Sequence, residues 1–192
     1  MKKLFPLLLI CLVVFTLASC TDADKADLVN ENLFRLHVIA NSDSTSDQSV
    51  KLKVRNAVIT YFEGKTGDIK NIDEFKTLLT KNKSELLKVI NDTLKQYGMN
   101  YSGVMSVGVY DFPDRTYYGT TVPEGKYEAL RIILREGKGK NWWCVLFPPL
   151  CFVDVEYENS EGSAMNIDDI EDVEVRSKLI EWLNEIKNSQ QK

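Results

Sequence analysis

The chain has 192 residues, which is enough to build one domain around a hydrophobic core of ordinary size. Its 24 Lys and Arg against 28 Asp and Glu give a net charge of −4. This mildly acidic balance does not indicate the basic surface that nucleic-acid binding requires, so no nucleic acid is expected among the partners.

The first 20 residues predict an export signal. Lys2 and Lys3 precede an apolar run over residues 4–15, which is shorter than the ~20 residues of a membrane-spanning helix. The Leu-Ala-Ser-Cys sequence that ends at Cys20 looks like a bacterial lipobox. In this interpretation Cys20 is lipidated, becomes the first mature residue and anchors the protein to the membrane. The alternative is an uncleaved signal anchor in which Cys20 is incidental.

A polar tether over residues 21–32 leads into a predicted strand over residues 33–40. Alternation along that strand places one apolar set on a single face: Phe34, Leu36, Val38 and Ala40. An amphipathic helix is predicted over residues 46–62, with Lys51 and Arg55 on its solvent side.

Residues 41–46, Asn-Ser-Asp-Ser-Thr-Ser, lie at this strand-to-helix junction. Small polar residues of these types favour turns and helix caps. Backbone N–H groups at a helix N-terminus can also bind an anion or a peptide carboxylate. Two interpretations follow: plain capping by Ser44 or Thr45, or a binding site at Asn41, Ser42 and Asp43.

The middle of the chain predicts helices followed by strands. Helical spacing covers residues 75–79 and 84–97, and Gly98 is a natural stop. Strands are predicted over residues 103–111, 115–122 and 126–135, and their short connections indicate an antiparallel meander. The fold class is therefore α+β, with helices packed on one face of a mostly antiparallel sheet, in a domain that spans residues 33–158.

Residues 141–154 form an aromatic block that contains two Trp, two Phe, two Cys and two Pro. Its adjacent prolines exclude a regular helix or a central strand through that point. One interpretation is a buried hairpin or plug that fills a core. The other is an interaction surface that uses Trp142, Trp143 and Phe147, because rigid aromatic side chains are enriched at binding surfaces.

Cys144 and Cys151 are the only cysteines in the predicted folded part. Outside the membrane they could form a disulfide, and two buried reduced thiols are an equally good interpretation. A zinc site is not expected, because the two thiols lack further ligands and His37 is the only histidine. We expect no metal and no cofactor.

The end of the chain divides into an acidic linker over residues 159–172 and a C-terminal amphipathic helix and tail over residues 173–192. The apolar stripe of that helix consists of Val175, Leu179, Trp182, Leu183 and Ile186. It could dock on the domain or on a partner.

No catalytic set is evident in the sequence. A Ser-His-Asp arrangement needs a histidine oriented by an acid, and His37 lies in the middle of a predicted strand. Residues 137–140, Gly-Lys-Gly-Lys, lack the spacing and the Ser/Thr of a phosphate-binding loop. We therefore do not expect an enzyme.

Three segments resemble the stage II sporulation protein R family of endospore-forming bacteria. They are residues 35–44 (Arg-Leu-His-Val-Ile-Ala-Asn-Ser-Asp-Ser), residues 127–131 (Tyr-Glu-Ala-Leu-Arg) and the aromatic block over residues 141–154. The resemblance covers residues 33–154, and the Trp-Trp-Cys and Pro-Pro-Leu-Cys sequences are rare enough to make it specific.

The resemblance implies an intercellular signalling protein of sporulation. Such a protein is exported from the forespore and acts at the outer face of the forespore membrane or in the space between forespore and mother cell. There it triggers a membrane-embedded aspartic protease of the mother cell, which cleaves the precursor of sigma factor E. The partner would be that protease, contacted by the aromatic block and by Asn41, Ser42 and Asp43, with the lipid anchor at Cys20 as the link to the membrane. The rival class is an extracytoplasmic hydrolase or transferase acting on envelope material, with a pocket lined by Asn41, Ser42, Asp43 and Cys144.

Overall fold

The computed structural model describes residues 31–117 and 120–151, which form three helices and six strands. The helices are α1 (Thr45–Phe62), α2 (Ile72–Lys81) and α3 (Lys83–Gln96). The strands are β1 (Phe34–Ile39), β2 (Gly103–Phe112), β3 (Arg115–Tyr117), β4 (Thr120–Val122), β5 (Gly125–Leu134) and β6 (Asn141–Phe147). The α+β class predicted from the sequence is confirmed.

Four strands form the main sheet in the order β2-β5-β1-β6. Strand β1 pairs in parallel with β5 and antiparallel with β6, and β2 pairs antiparallel with β5. The sheet is therefore mostly antiparallel, with one parallel pair at its centre. Strand β6 ends at Phe147, immediately before the two prolines, and it lies at an edge of the sheet.

The predicted meander is wrong in its connections. The single strand expected over residues 115–122 is replaced by β3 and β4, which pair with each other in a separate two-stranded sheet. Pro113 follows β2 and has no N–H to donate to a ladder, so the chain leaves the main sheet there. The buried side chains of Tyr117 and Val122 attach this hairpin to the domain, and β5 then pairs directly with β2.

The helices pack on one face of the main sheet and enclose the larger core. The apolar set of β1, which includes Phe34, Leu36 and Val38, faces this core, as alternation predicted. The solvent position predicted for Lys51 and Arg55 is wrong: they are 5% and 1% exposed, respectively. Charged side chains on a helix can be buried when their stems pack and their polar ends find partners, which spacing alone does not reveal.

A second, smaller core lies on the opposite face of the sheet. It joins the β3–β4 hairpin to the end of β2 and to the residues that precede β1 and follow β6. Its buried members are Leu33, Phe112, Tyr117, Val122, Tyr127, Ala129, Val145 and Leu150. Because this core covers only one end of that face, the sheet is enclosed by helices on one side and only partly covered on the other.

Strand β2 forms the other edge of the main sheet. It pairs with β5 along all ten residues in one continuous register. Val104 and Val107, which point to opposite faces, are 60% and 48% exposed. The residues from Gly103 to Tyr110 carry no charge and include no proline.

Several predicted segments lie outside the described residues. They are the export signal with Cys20, most of the polar tether, the acidic linker over residues 159–172 and the C-terminal helix and tail over residues 173–192. None of the helices within residues 31–117 and 120–151 is long and apolar enough to cross a membrane.

The loop between β5 and β6 packs tightly on the β1–α1 junction at Gly139. A Cβ atom added at Gly139 would lie 2.2 Å from the backbone oxygen of Ser42. We expect Gly139→Ala to destabilise the domain by about 1–3 kcal/mol, because the obstacle is backbone and cannot rotate away. Gly67→Ala is the matched control, since nothing lies within 4 Å of its Cβ position. Urea unfolding of both variants measures the difference, and equal midpoints would contradict the close packing at Gly139.

Candidate functional site

The junction between β1 and α1 is organised around the carboxylate of Asp47, in the first turn of the helix. Asn41 Nδ2 and Ser42 Oγ donate to one carboxylate oxygen at 2.9 and 2.5 Å, and the hydroxyl of Tyr101 donates to the other at 2.5 Å. The backbone N–H of Asp47 donates in turn to Ser44 Oγ, so Ser44 caps the helix. Burial alone would raise the pKa of Asp47, but these hydrogen bonds outweigh it and lower that pKa.

The same junction joins the loop that leads into β6. Asp43 Oδ1 accepts the backbone N–H of Lys140 at 2.6 Å, and Asn41 Oδ1 accepts that of Glu136 at 3.3 Å. Ile39, the last residue of β1, pairs with Asn141, the first residue of β6. Two segments about a hundred residues apart in sequence therefore meet at one end of the sheet.

The two tryptophans of the aromatic block point to opposite faces of the sheet. Trp142 packs at the margin of the helix-side core, where the guanidinium of Arg55 lies 4.0 Å from its ring centroid. Trp143 lies on the other face and stacks on His37 with a centroid separation of 3.7 Å. Both side chains are partly exposed, so each combines a structural contact with an accessible edge.

Phe147 and the two cysteines occupy the inner part of the block. The side chain of Phe147 is 8% exposed and stacks on Phe75 with ring centroids 5.2 Å apart. Cys144 and Cys151 are buried and joined by a disulfide, with Cα atoms 5.7 Å apart. The aromatic block is therefore partly core and partly surface, and a partner contact by Phe147 stays a prediction.

Arg35 is a buried cation that the sequence analysis did not single out. It is fully buried beside Phe112 and Tyr127, with its guanidinium carbon 4.3 and 4.9 Å from their ring centroids. Burial lowers the pKa of Arg35. The sequence offered one signal of this burial, which is that Arg35 lies within a predicted strand between apolar neighbours. Aromatic faces stabilise a guanidinium in such a position, although the sequence alone does not show which rings will be adjacent.

His37 is held in its neutral form. Its Nε2 lies 3.0 Å from Asn141 Oδ1, which can only accept, so Nε2 carries the proton. Burial lowers the pKa of His37 to about 4; the hydrogen bond to Asn141 opposes this shift and the nearby charge of Arg131 adds to it. The neutral ring stacks on Trp143 and meets Phe112 edge-on, an arrangement suited to packing.

Of the residues proposed for the rival enzyme class, Asn41, Ser42 and Asp43 lie together at the junction, whereas Cys144 lies apart from them. Ser42 Oγ is bonded to Asp47, while Cys144 is in a disulfide and pairs with Leu36 in the middle of β1. Within the described part of the chain, no three His, Cys, Asp or Glu residues are grouped so that they could hold a metal ion. The arrangement defines the class of protein as a small α+β domain in which a polar junction lies beside an aromatic strand.

Comparison with known proteins identifies the family. The family model for stage II sporulation protein R matches residues 30–157. The stage II sporulation protein R of Bacillus subtilis (strain 168) is 30% identical over 217 residues, covering 93% of this chain and 97% of that protein. No solved structure matches the chain. The chain therefore belongs to the stage II sporulation protein R family, and this membership supports a signalling role in sporulation.

The neutral state of His37 predicts a specific pH dependence of stability. The unfolded chain takes up a proton near pH 6.5, whereas the folded chain does so only near pH 4. We therefore expect the free energy of unfolding to be fully maintained above pH 6.5 and to fall by about 3 kcal/mol as the pH drops towards 4. Urea unfolding between pH 7 and pH 4 measures this loss. In a His37→Gln variant the free energy of unfolding should change clearly less with pH. An unchanged pH dependence would contradict the assignment of a neutral His37 in the folded chain.

Proposed function

We propose that this protein is an exported sporulation signal that activates a membrane-embedded aspartic protease of the mother cell. The activated protease would then cleave the precursor of sigma factor E. Family membership supports the sporulation role, and the export signal predicted over residues 1–20 supports the extracytoplasmic location. The protein would act at the outer face of the forespore membrane, anchored through Cys20, or in the space between the two cells.

The observation that carries this proposal is the meeting of two segments at one end of the sheet. Asp43 accepts the N–H of Lys140, and Ile39 pairs with Asn141, so the junction and the first residues of the aromatic block form one continuous surface. The exposed residues there include Asp43 and Asn141, and Trp142 and Trp143 are partly exposed on the two sides of the edge strand β6. Partly exposed tryptophan flanked by polar groups is a frequent composition for a binding hot spot.

The internal hydrogen bonds at the junction give its residues a defined role in this proposal. Asn41 and Ser42 are bonded to Asp47, so their contribution would be to fix the shape of the surface. Asp43 is exposed and uses one carboxylate oxygen for the loop and for Gln48, which leaves the other oxygen available to a partner. Pre-shaped surfaces lose less entropy on association, which favours a signal that acts by binding.

The rival proposal, an extracytoplasmic hydrolase or transferase, has less support. Its candidate nucleophile Ser42 is hydrogen-bonded to a carboxylate, with His37 occupied by Asn141 on the sheet face. A Ser42→Ala variant separates the two proposals. A catalytic serine should lose turnover while binding persists, whereas a structural serine should lose stability and binding together.

Reconstitution of precursor cleavage tests the binding proposal directly. Residues 21–192 would be combined with the membrane protease and its sigma factor precursor, and cleavage would be followed over time. The Trp142→Ala/Trp143→Ala variant should lose most of the stimulation, because removing hot-spot side chains typically costs on the order of 2–4 kcal/mol of binding free energy. Stimulation that is unchanged in the folded variant would remove the aromatic block from the interface.

A stability-matched control is needed because both tryptophans also pack against the domain. Leu86→Ala removes a fully buried side chain on α3, and such truncations cost about 2–5 kcal/mol. Circular dichroism would establish a temperature at which both variants are folded. Stimulation should then persist in Leu86→Ala and be lost in the double tryptophan variant.

The lipid anchor predicts a separate outcome in cells. If Cys20 is the lipidated residue, globomycin should leave the precursor unprocessed, because lipoprotein signal cleavage requires the inhibited peptidase. Cys20→Ala should show the same accumulation of precursor without the drug. Normal processing in the presence of globomycin would exclude the lipid anchor while leaving the signalling proposal intact.

A further inference from the structure

The face of the main sheet that lies opposite the helices carries an apolar row outside both cores. Ile39 pairs with Ile133, and Ile133 pairs with Val104, so the three side chains lie side by side on β1, β5 and β2. None of them belongs to the helix-side core or to the second core. The two isoleucines are partly exposed, with Gly137 of the β5–β6 loop packed against them, and Val104 is largely exposed.

A polar row that contains one cation, Arg131, lies next to this apolar row on the same face. Arg131 pairs with His37 on one side and with Ser106 on the other. Its guanidinium lies 4.1 Å from the ring centroid of Tyr110, and its buried Nε makes no hydrogen bond within the described residues. A partly exposed cation that rests on an aromatic ring beside an apolar strip is suited to an acidic, amphipathic segment.

The charge distribution along the chain identifies such a segment. Residues 31–151 hold 17 Lys and Arg against 14 Asp and Glu, whereas residues 152–192 hold 4 against 11. The acidic residues are concentrated in residues 152–172, which hold eight Asp and Glu and no Lys or Arg. The apolar stripe, which includes Leu179, Trp182 and Ile186, follows in residues 173–192, where three Asp and Glu stand against four Lys and Arg. Residues 152–172 are therefore complementary to the domain in charge, and the stripe that follows them is complementary to the apolar row.

We propose that residues 159–192 of the same chain dock on this sheet face. The apolar stripe would cover the row formed by Ile39, Ile133 and Val104, and an acidic side chain would pair with Arg131. This contact goes beyond the proposed signalling function. It would also enclose the edge of Trp143, so a partner that uses Trp143 would meet the C-terminal segment as part of the surface.

The length of the chain permits this docking. The described residues end at Cys151, which the disulfide holds beside Cys144 in β6. From there to the apolar row the path is roughly the length of a seven-residue strand, about 20 Å. Residues 152–172 can extend to roughly 70 Å, so they reach the face without displacing any described element.

Crosslinking within residues 21–192 tests the docking. In the predicted C-terminal helix Arg176→Cys places one thiol beside the apolar stripe, three and seven positions before Leu179 and Leu183. Val104→Cys places the second thiol on the sheet face. Val107→Cys is the matched control, because Val107 lies on the same strand, is also exposed and points to the other face. The native cysteines in this range are joined to each other, so the introduced pair reacts alone with a short bismaleimide.

We expect an intramolecular crosslink with Val104→Cys at a rate at least tenfold above that with Val107→Cys, independent of protein concentration. Arg131→Gln should slow the crosslink by about two- to fivefold, the range of an exposed ion pair, while Lys95→Gln on the helix side should not.

Equal rates at the two valine positions, or no crosslink at either, would overturn the proposal. Crosslinks found only between two chains would also overturn it, in favour of a second copy as the occupant. No sporulation protease is present in this experiment, so its failure is distinct from failure of the proposed function.

Discussion

Backbone pairing of β1 on both of its sides is the constraint on which the rest of the structure depends. The strand is hydrogen-bonded to β5 in parallel and to β6 in the antiparallel direction, so it fixes the register of both. A parallel pair requires a long crossover, and the chain supplies it with three helices, β2 and the β3–β4 hairpin before it returns as β5. The helices therefore lie on one face, and the residue that ends β1 lies beside the residue that begins β6.

The sequence was sufficient to predict features that depend on local periodicity. The alternation of apolar residues predicted the two faces of β1 correctly. Their helical spacing predicted the start of α1 to within one residue. Helix capping by Ser44, one of two interpretations of the junction, is present in the structure. These features could be predicted because each is decided by residues fewer than five positions apart.

Features that depend on distant partners could not be predicted in the same way. Nothing in residues 126–135 indicates that β5 pairs with β1 on one side and with β2 on the other. The alternation along a strand shows which face of the sheet each side chain takes, but it does not show which strands lie next to it. Arg55 was assigned to solvent by its charge, but the structure places it against Trp142, about ninety residues away. The cation–aromatic contacts of Arg35, Arg55 and Arg131 all join residues from different elements. Each depends on a sheet order that local patterns do not contain.

Strand β2 has a consequence for how the protein behaves in concentrated solution. Natural edge strands usually carry a lysine, a proline or a bulge that prevents other chains from pairing with them. From Gly103 to Tyr110 this strand has no charge, no proline and an unbroken register, and two of its valines are largely exposed. It is consequently an edge with which a strand of another chain can pair. We therefore expect this edge, rather than the stability of either core, to set the concentration at which the purified domain begins to self-associate.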